Sequence, residues 1–337
     1  MDEIFNCDCI EGMRELPADS VDAIVTDPPY GLNFMGKDWD HGVPGEQFWS
    51  EALRVAKPGA YLLSFGGTRT YHRLACAIED SGWEIRDCLG WLYGSGFPKS
   101  QNVSKQIEKQ AGVRGDDGHA FNVAGDYNNR DLKPPNRNYA TTPLTMAAAK
   151  QWQGWGTGLK PAWEPIIMAR KPLDGTVAHN VMTYGTGAID IEACRVGTDT
   201  IVTQGGDKFP GVYGEYNTCE VSQHKGRFPA NIIHDGSDEA TAPMGDASRF
   251  FYCAKASKKD RGEGNNHPTV KPQSLLRYLI RLVTHEGAVV LDPFLGSGST
   301  AVAAMVTGRH YLGYEILPEY FDIARARLDA AKKEDTL

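Results

Sequence analysis

The sequence predicts an α/β protein built on a doubly wound, mostly parallel sheet. Short apolar runs alternate with segments of helical period, and two of those runs end in an acid followed by proline. The second of them passes through a glycine-rich turn into a helix. Strand, turn and helix repeating in this way are the marks of βαβ units.

Taken in order, Phe5–Leu16 opens with Asp8 between two cysteines and reads as a short helix. Val21–Thr26 is apolar enough for one buried strand, and Pro28 and Pro29 end it because neither can donate to a ladder. Residues 31–46, rich in glycine, aspartate and aromatics, read as a mobile loop over a site. Gln47–Val55 is helical, Ala60–Phe65 a second buried strand, Thr70–Ser81 a second helix, and Trp83–Tyr93 one or two further strands. Regular patterning then stops. Residues 100–160 and 195–225 are irregular, with Trp163–Ala169 a strand between them. It resumes with a helix over Pro272–Thr284, a strand over Ala288–Leu291, a helix from Thr300 to Thr307, a strand over Tyr311–Glu315 and a final helix over Pro318–Lys332.

Composition narrows the function classes. The chain has 337 residues, 41% of them hydrophobic and 23% charged, as in an ordinary soluble globular protein. No apolar run is long enough to cross a membrane, and Met1–Phe5 lacks the basic and apolar regions of a signal peptide. Seven cysteines supply neither a disulfide framework nor a CxxC metal pair, which points to a reducing cytoplasm. The net charge of −8 is unevenly spread: residues 1–60 hold twelve acids and four bases, while Arg249–Arg281 holds eight bases and two acids. That spread leaves the middle and late parts of the chain open to a polyanion or to ordinary solvated surface, and neither requires nor excludes DNA; Arg249, Lys255, Lys258, Lys259 and Arg261, and the span from Lys99 to Lys171, are the candidate phosphate contacts. Trp152, Trp155 and Trp163 are candidates for stacking on bases or for the core.

Two stretches carry chemistry. In Asp27-Pro28-Pro29-Tyr30 a carboxylate, free carbonyls and an aromatic ring sit at a strand's carboxyl end, where open α/β sheets bind ligands. That set suits a planar substrate bearing an amino group. In Asp292-Pro293-Phe294-Leu295-Gly296-Ser297-Gly298 the glycines let the backbone approach a nucleotide-like ligand, and Glu315 follows where a ribose-binding acid belongs. Taken alone, the second stretch also fits a dinucleotide-binding half. Against that, it lies in the last fifth of the chain, and an acid directly before the loop suits a cationic ligand end better than a pyrophosphate.

Together, the tetrapeptide Asp27–Tyr30, the later Asp292–Gly298 stretch and His267-Pro268-Thr269-Val270-Lys271-Pro272 just before it resemble the β class of amino-group DNA methyltransferases. Cys7-Asp8-Cys9 also fits. The resemblance implies a Rossmann-like, circularly permuted S-adenosylmethionine-dependent fold: a catalytic half over 1–100, a variable insertion with the target-recognition region over 101–264, and a cofactor-binding half over 265–337. It implies transfer of a methyl group to the exocyclic N6 of a flipped-out adenine in double-stranded DNA, with cytosine N4 or a catalytically silent DNA-binding relative as alternatives. A bacterial or phage-encoded enzyme is implied, with a homodimer and a separate restriction nuclease as further partners to consider.

Residue by residue, the resemblance makes Asp27 and the Pro28 carbonyl acceptors for the amino group, Pro29 part of the same turn, and Tyr30 the stacking surface. Asp292, Pro293 and the Phe294–Gly298 loop, including Gly296, Ser297 and Gly298, hold the methionine and ribose part of the cofactor. Glu315 takes the ribose hydroxyls, Asp8 with Cys9 the adenine, and Thr269 and Lys271 the methionine carboxylate. Asp8 also reads as a helix N-cap, Lys271 as a solvated lysine, and His267 as structural. No metal is expected, and no Cys–His nucleophile pair is evident.

Overall fold

The computed structural model describes residues 2–32, 40, 42–94, 96, 100–111, 147–203, 210–211, 214–215, 222–242, 250–262 and 264–334. Its elements run β1 (Asp2–Phe5), α1 (Cys9–Arg14), β2 (Val21–Thr26), α2 (Glu46–Val55), β3 (Ala56–Phe65), α3 (Tyr71–Asp80), β4 (Glu84–Leu92), α4 (Val103–Gln110) and α5 (Ala147–Gln151). Then follow β5 (Trp163–Arg170), α6 (Val177–Tyr184), β6 (Val196–Thr203), β7 (Pro210–Gly211), β8 (Gly214–Glu215), β9 (Ser222–Arg227), β10 (Ile232–His234) and α7 (Asp238–Thr241). The chain ends with β11 (Phe251–Tyr252), α8 (Lys258–Arg261), α9 (Gln273–Val283), β12 (Val289–Asp292), α10 (Ser299–Val306), β13 (His310–Tyr314) and α11 (Pro318–Glu334).

Nine strands form one sheet in the order β1-β13-β12-β2-β3-β5-β4-β10-β11. All pairings are parallel except those of β5, which runs antiparallel between β3 and β4. The doubly wound reading follows directly from side-chain alternation. Ala23, Val25, Leu63 and Phe65 point into one apolar layer with α9, α10 and α11. Ile24, Leu62, Leu291 and Leu312 point into the other, with α1, α2 and α3. Both faces are covered, so the strands read as continuous apolar runs. Permutation is visible in the register: β12, from the end of the chain, lies beside β2, from its beginning, pairing Leu291 with Ile24.

The chain divides into two compact units, residues 1–94 with 163–337, and Ser95–Ala162. The insertion expected over 101–264 is thus cut differently. β5, β10 and β11 fall inside it yet complete the sheet, because four apolar residues of β5 (Ile166–Ala169) pack in the core. In the smaller unit, Trp152 and Trp155 are exposed, with ring centroids 5.1 Å apart. β1 was hidden in the sequence: Asp2–Phe5 lacks a buried run, being an edge strand held by Phe5 pairing with Tyr314. Of the loop expected over 31–46, residues 33–39 and 41 lie outside the described residues. No described helix is long and apolar enough to cross a membrane.

Candidate functional site

The parallel strands deliver their carboxyl ends to one edge of the sheet. Thr26 of β2, Asp292 of β12, Tyr314 of β13 and Phe5 of β1 all exit there. β5 runs the other way, so it enters at the same edge: Ile166 pairs with Phe65, and Trp163 with Leu92. This places Asp27, the Asp292–Gly298 loop, Glu315, Asp8 and Glu164 along one rim.

At Asp27 the carboxylate is doubly held. The Tyr30 hydroxyl donates to Oδ1 at 2.7 Å, and the Lys271 ammonium to Oδ2 at 2.5 Å. Lys271 Nζ also reaches Tyr30 Oη at 3.2 Å and Glu164 Oε2 at 3.6 Å, and stands 4.8 Å from the centroid of the Phe65 ring. Burial, the largest influence on Lys271, acts to lower its pKa, but Asp27 and Glu164 together outweigh it and hold the ammonium above its ordinary value. The Tyr30 phenol is pushed well up by burial and then by the two carboxylates, so it stays a donor. Pro28 is buried, Pro29 and Tyr30 half-buried, and no hydrogen bond among the described residues uses the Pro28 carbonyl.

Beside it, Asp292 is buried and accepts from the Thr26 hydroxyl at 2.6 Å and the Phe294 amide at 3.1 Å. Glu315 is buried and takes the Gly296 amide on Oε2 and the Leu317 amide on Oε1, each at 2.8 Å. Burial pushes Asp292 up to about 6 and Glu315 up to about 7. Neither carboxylate has a cationic partner among the described residues. The loop between them turns on Gly296 at φ +53° and Gly298 at φ +79°. The Phe294 ring packs near Phe48 and Trp49, and Pro293 is buried. Arg327 of α11 donates to the Ser297 carbonyl, to Ser297 Oγ at 3.1 Å and to Ser299 Oγ at 3.0 Å.

Several expectations shift. Asp8 is the N-cap of α1: its Oδ1 accepts from the Ile10 and Glu11 amides, while Oδ2 takes no bond among the described residues. Cys9 is buried in the apolar layer and its thiol is pushed up to about 12 by burial, which makes it a core residue. Lys271 lies on Asp27 and Glu164, where two carboxylates outcompete open solvent for a buried ammonium. Thr269 is exposed, and its carbonyl meets the His267 ring at 3.1 Å. His267 is packed 4.4 Å from the Tyr320 ring and is pushed down to about 4 by burial, so it is neutral and structural. Among the candidate phosphate contacts, Lys258 and Lys259 are exposed, but Arg261 is bonded to the His267 carbonyl and Lys171 to Asp19. Arg249 and Lys99 lie outside the described residues. Sequence reasoning missed Glu164, whose only signal was an acid at the start of an otherwise apolar strand, and Arg327, which reads as a surface arginine.

The acceptors fit S-adenosylmethionine. Its ammonium, ribose diol and adenine amine are all donors, and the rim offers them Asp292, Glu315 and Asp8. Two of these carboxylates are buried and lack a cation among the described residues, which a positively charged ligand would supply. Among the described residues no group of His, Cys, Asp and Glu is arranged to hold a metal.

Comparisons with known proteins agree with this chemistry. A family model described as DNA methylase matches residues 21–326. The Type II methyltransferase M.HindIII of Haemophilus influenzae is 26% identical over 378 residues, covering 98% of this chain and 96% of that protein. The Type II methyltransferase M2.DpnII of Streptococcus pneumoniae is 41% identical over 86 residues, 26% of this chain and 32% of that protein. Among solved structures, the cytosine-N4-specific PvuII DNA methyltransferase superposes with a TM-score of 0.50 at 15% identity, covering 97% of this chain and 86% of that one; that likeness speaks to the fold. With the family model spanning most of the chain and both motif strands side by side in the sheet, the protein belongs to the DNA methylase family that modifies the amino groups of adenine N6 or cytosine N4 with the methyl group of S-adenosylmethionine.

Proposed function

We propose that the protein methylates N6 of adenine at a specific site in double-stranded DNA. The observation that carries this reading is the Asp27 carboxylate, held by Lys271 and presented at the end of β2 beside a Pro28 carbonyl that no hydrogen bond among the described residues uses. An exocyclic amino nitrogen is a poor nucleophile because its lone pair is delocalised into the ring. Accepting one N–H on Asp27 and the other on the Pro28 carbonyl draws the nitrogen towards tetrahedral geometry and frees that pair. S-adenosylmethionine supplies an electrophilic methyl group on a sulfonium. Asp27 then receives the proton that the nitrogen sheds, so positioning and carboxylate electrostatics supply most of the catalysis. The base must leave the duplex to reach the rim, and the Tyr30 ring offers it a stacking face. Adenine is favoured over cytosine because the tetrapeptide begins with Asp, where many cytosine-N4 relatives carry Ser. On this reading the cofactor lies over Asp292, the Phe294–Gly298 loop and Glu315. A companion restriction nuclease is proposed by extension from the relatives described as Type II methyltransferases.

The test is direct. Unmethylated DNA is incubated with the protein and S-adenosylmethionine, digested to nucleosides and analysed by mass spectrometry. N6-methyladenine supports the reading, N4-methylcytosine replaces the base, and no methylated nucleoside rejects it. The variant Asp27→Ala is expected to lose transfer while keeping cofactor affinity.

A further inference from the structure

We infer that Lys271 and Glu164 are positioning residues that keep the Asp27 carboxylate aimed and in its acceptor form until the amino group has given up its proton; this rests on the reading of Asp27 as the amino-group acceptor. Lys271 comes from the turn before α9 and its side chain is 9% exposed. Its ammonium is shared by Asp27 Oδ2 at 2.5 Å and Glu164 Oε2 at 3.6 Å. Glu164 is anchored in turn: Tyr93 Oη donates to its Oε1 at 3.2 Å, while Oε2 is buried and has no hydrogen bond within 3.5 Å among the described residues. The cluster holds two half-buried carboxylates and one buried cation.

Without the ammonium, two neighbouring carboxylates would share a proton, as like charges at one site do. A protonated Asp27 carries a donor and is a weaker, uncharged acceptor, so the target amino group loses the negative charge that would take its proton. Lys271 therefore fixes the charge state on which the chemistry depends. Both Asp27 oxygens are occupied in the protein alone, Oδ1 by the Tyr30 phenol and Oδ2 by Lys271. The Lys271 bond joins two opposite charges, whereas the Tyr30 bond has only one charged member and is the more easily exchanged. The arriving amino group thus displaces the neutral phenol, freeing the Tyr30 ring to stack, and Lys271 stays in place. Besides these groups, Asp27 senses Asp292 from β12 and His267 from the segment that leads to Lys271. His267 is neutral, so Lys271 supplies the positive charge among the described groups that interact with Asp27.

The experiment compares wild type with Lys271→Met, Lys271→Arg, Glu164→Gln and the double variant Lys271→Met/Glu164→Gln. It measures pH profiles of kcat/KM on double-stranded DNA, with cofactor affinity by calorimetry. Lys271→Met is expected to lose about 100-fold or more in kcat, with cofactor Kd within about threefold of wild type and the acid limb moved up by about one pH unit. Lys271→Arg restores the limb. Glu164→Gln moves it down, because one competing anion is gone, and the double variant brings it back towards wild type. An unmoved limb in Lys271→Met, or a defect confined to cofactor Kd, overturns the inference and returns Lys271 to the cofactor. Wild-type protein that transfers no methyl group at all rejects the reading of Asp27 itself, an outcome distinct from the others. If Lys271→Met does not fold, Lys271→Arg and Glu164→Gln decide: limbs superimposable on wild type in both overturn the inference.

Discussion

The Thr26 hydroxyl donates to Asp292 Oδ1 at 2.6 Å across 266 residues of sequence, joining the strand that leads into Asp27-Pro28-Pro29-Tyr30 to the strand that opens the Asp292–Gly298 loop. Both groups are buried. Thr26→Val keeps the shape and removes the shorter of the two bonds to Asp292 Oδ1, leaving that buried oxygen with the Phe294 amide. We expect a loss of about 1–3 kcal/mol in stability and weaker cofactor binding, with Thr26→Ser near wild type. Urea denaturation and calorimetry would check both. A Thr26→Val protein as stable and as tightly binding as wild type would show that this bond does not organise the loop.

The two buried carboxylates set a pH dependence of stability. Asp292 at about 6 and Glu315 at about 7 both lie above their ordinary values of 3.8 and 4.5. The folded protein therefore binds protons more tightly than the unfolded chain at these sites, and stability falls as pH rises. Their contribution is fully present below about pH 4 and is lost as pH passes through 6 and 7, on the order of 3 kcal/mol for each. Glu315→Gln should flatten the upper part of this decline while weakening cofactor affinity. Denaturation midpoints measured between pH 5 and pH 8, with and without S-adenosylmethionine, would check it. Bound cofactor should reduce the slope, because its cation favours the ionised forms.

The edge chemistry was legible because prolines and glycines punctuate it: Pro28-Pro29 must end β2, and Gly296 and Gly298 must turn the loop. The buried strands were legible because both sheet faces are covered, which leaves unbroken apolar runs such as Val21–Thr26. What escaped was set by contacts distant in sequence. β1 is a strand only because Tyr314 and its neighbours offer it an edge. Lys271 takes its partners from Asp27 and Glu164, 244 residues away in the first case, so a local motif placed it at the cofactor. Asp8 held two readings at once, and the N-cap is the one its hydrogen bonds display. Cys9 was drawn into the site by its neighbour, although its side chain belongs to the core.

Gly298 is a second structural control on the loop. Its φ of +79° disfavours any side chain, and a Cβ placed there would meet the Ala324 Cβ at 2.9 Å and its Cα at 3.1 Å. Gly298→Ala should cost about 1–2 kcal/mol for the backbone conformation, with a similar amount for crowding α11. Cofactor affinity should fall with it, because the α10 N-terminus and the loop shift together. Thermal denaturation of the variant with and without S-adenosylmethionine separates the two effects.

Arg327 clamps the same loop from α11. One guanidinium nitrogen serves the Ser297 carbonyl and the Ser299 hydroxyl, and the other donates to the Asp260 carbonyl at 2.6 Å. Burial pushes the group down to about 10, so it is still charged at neutral pH and its bonds are charge-assisted. Arg327→Met keeps much of the apolar stem but leaves the Ser297 and Asp260 carbonyls without this donor. We expect about a tenfold rise in the Kd for S-adenosylmethionine, or about 1.4 kcal/mol, with kcat at saturating cofactor changed far less. Arg327→Lys should recover only part of the affinity, because a single ammonium cannot reproduce the planar fork that spans both partners. Calorimetric titration of both variants, alongside kcat at saturating cofactor, provides the check. Unchanged affinity in Arg327→Met would mean that Gly296, Gly298 and Glu315 hold the loop without the clamp.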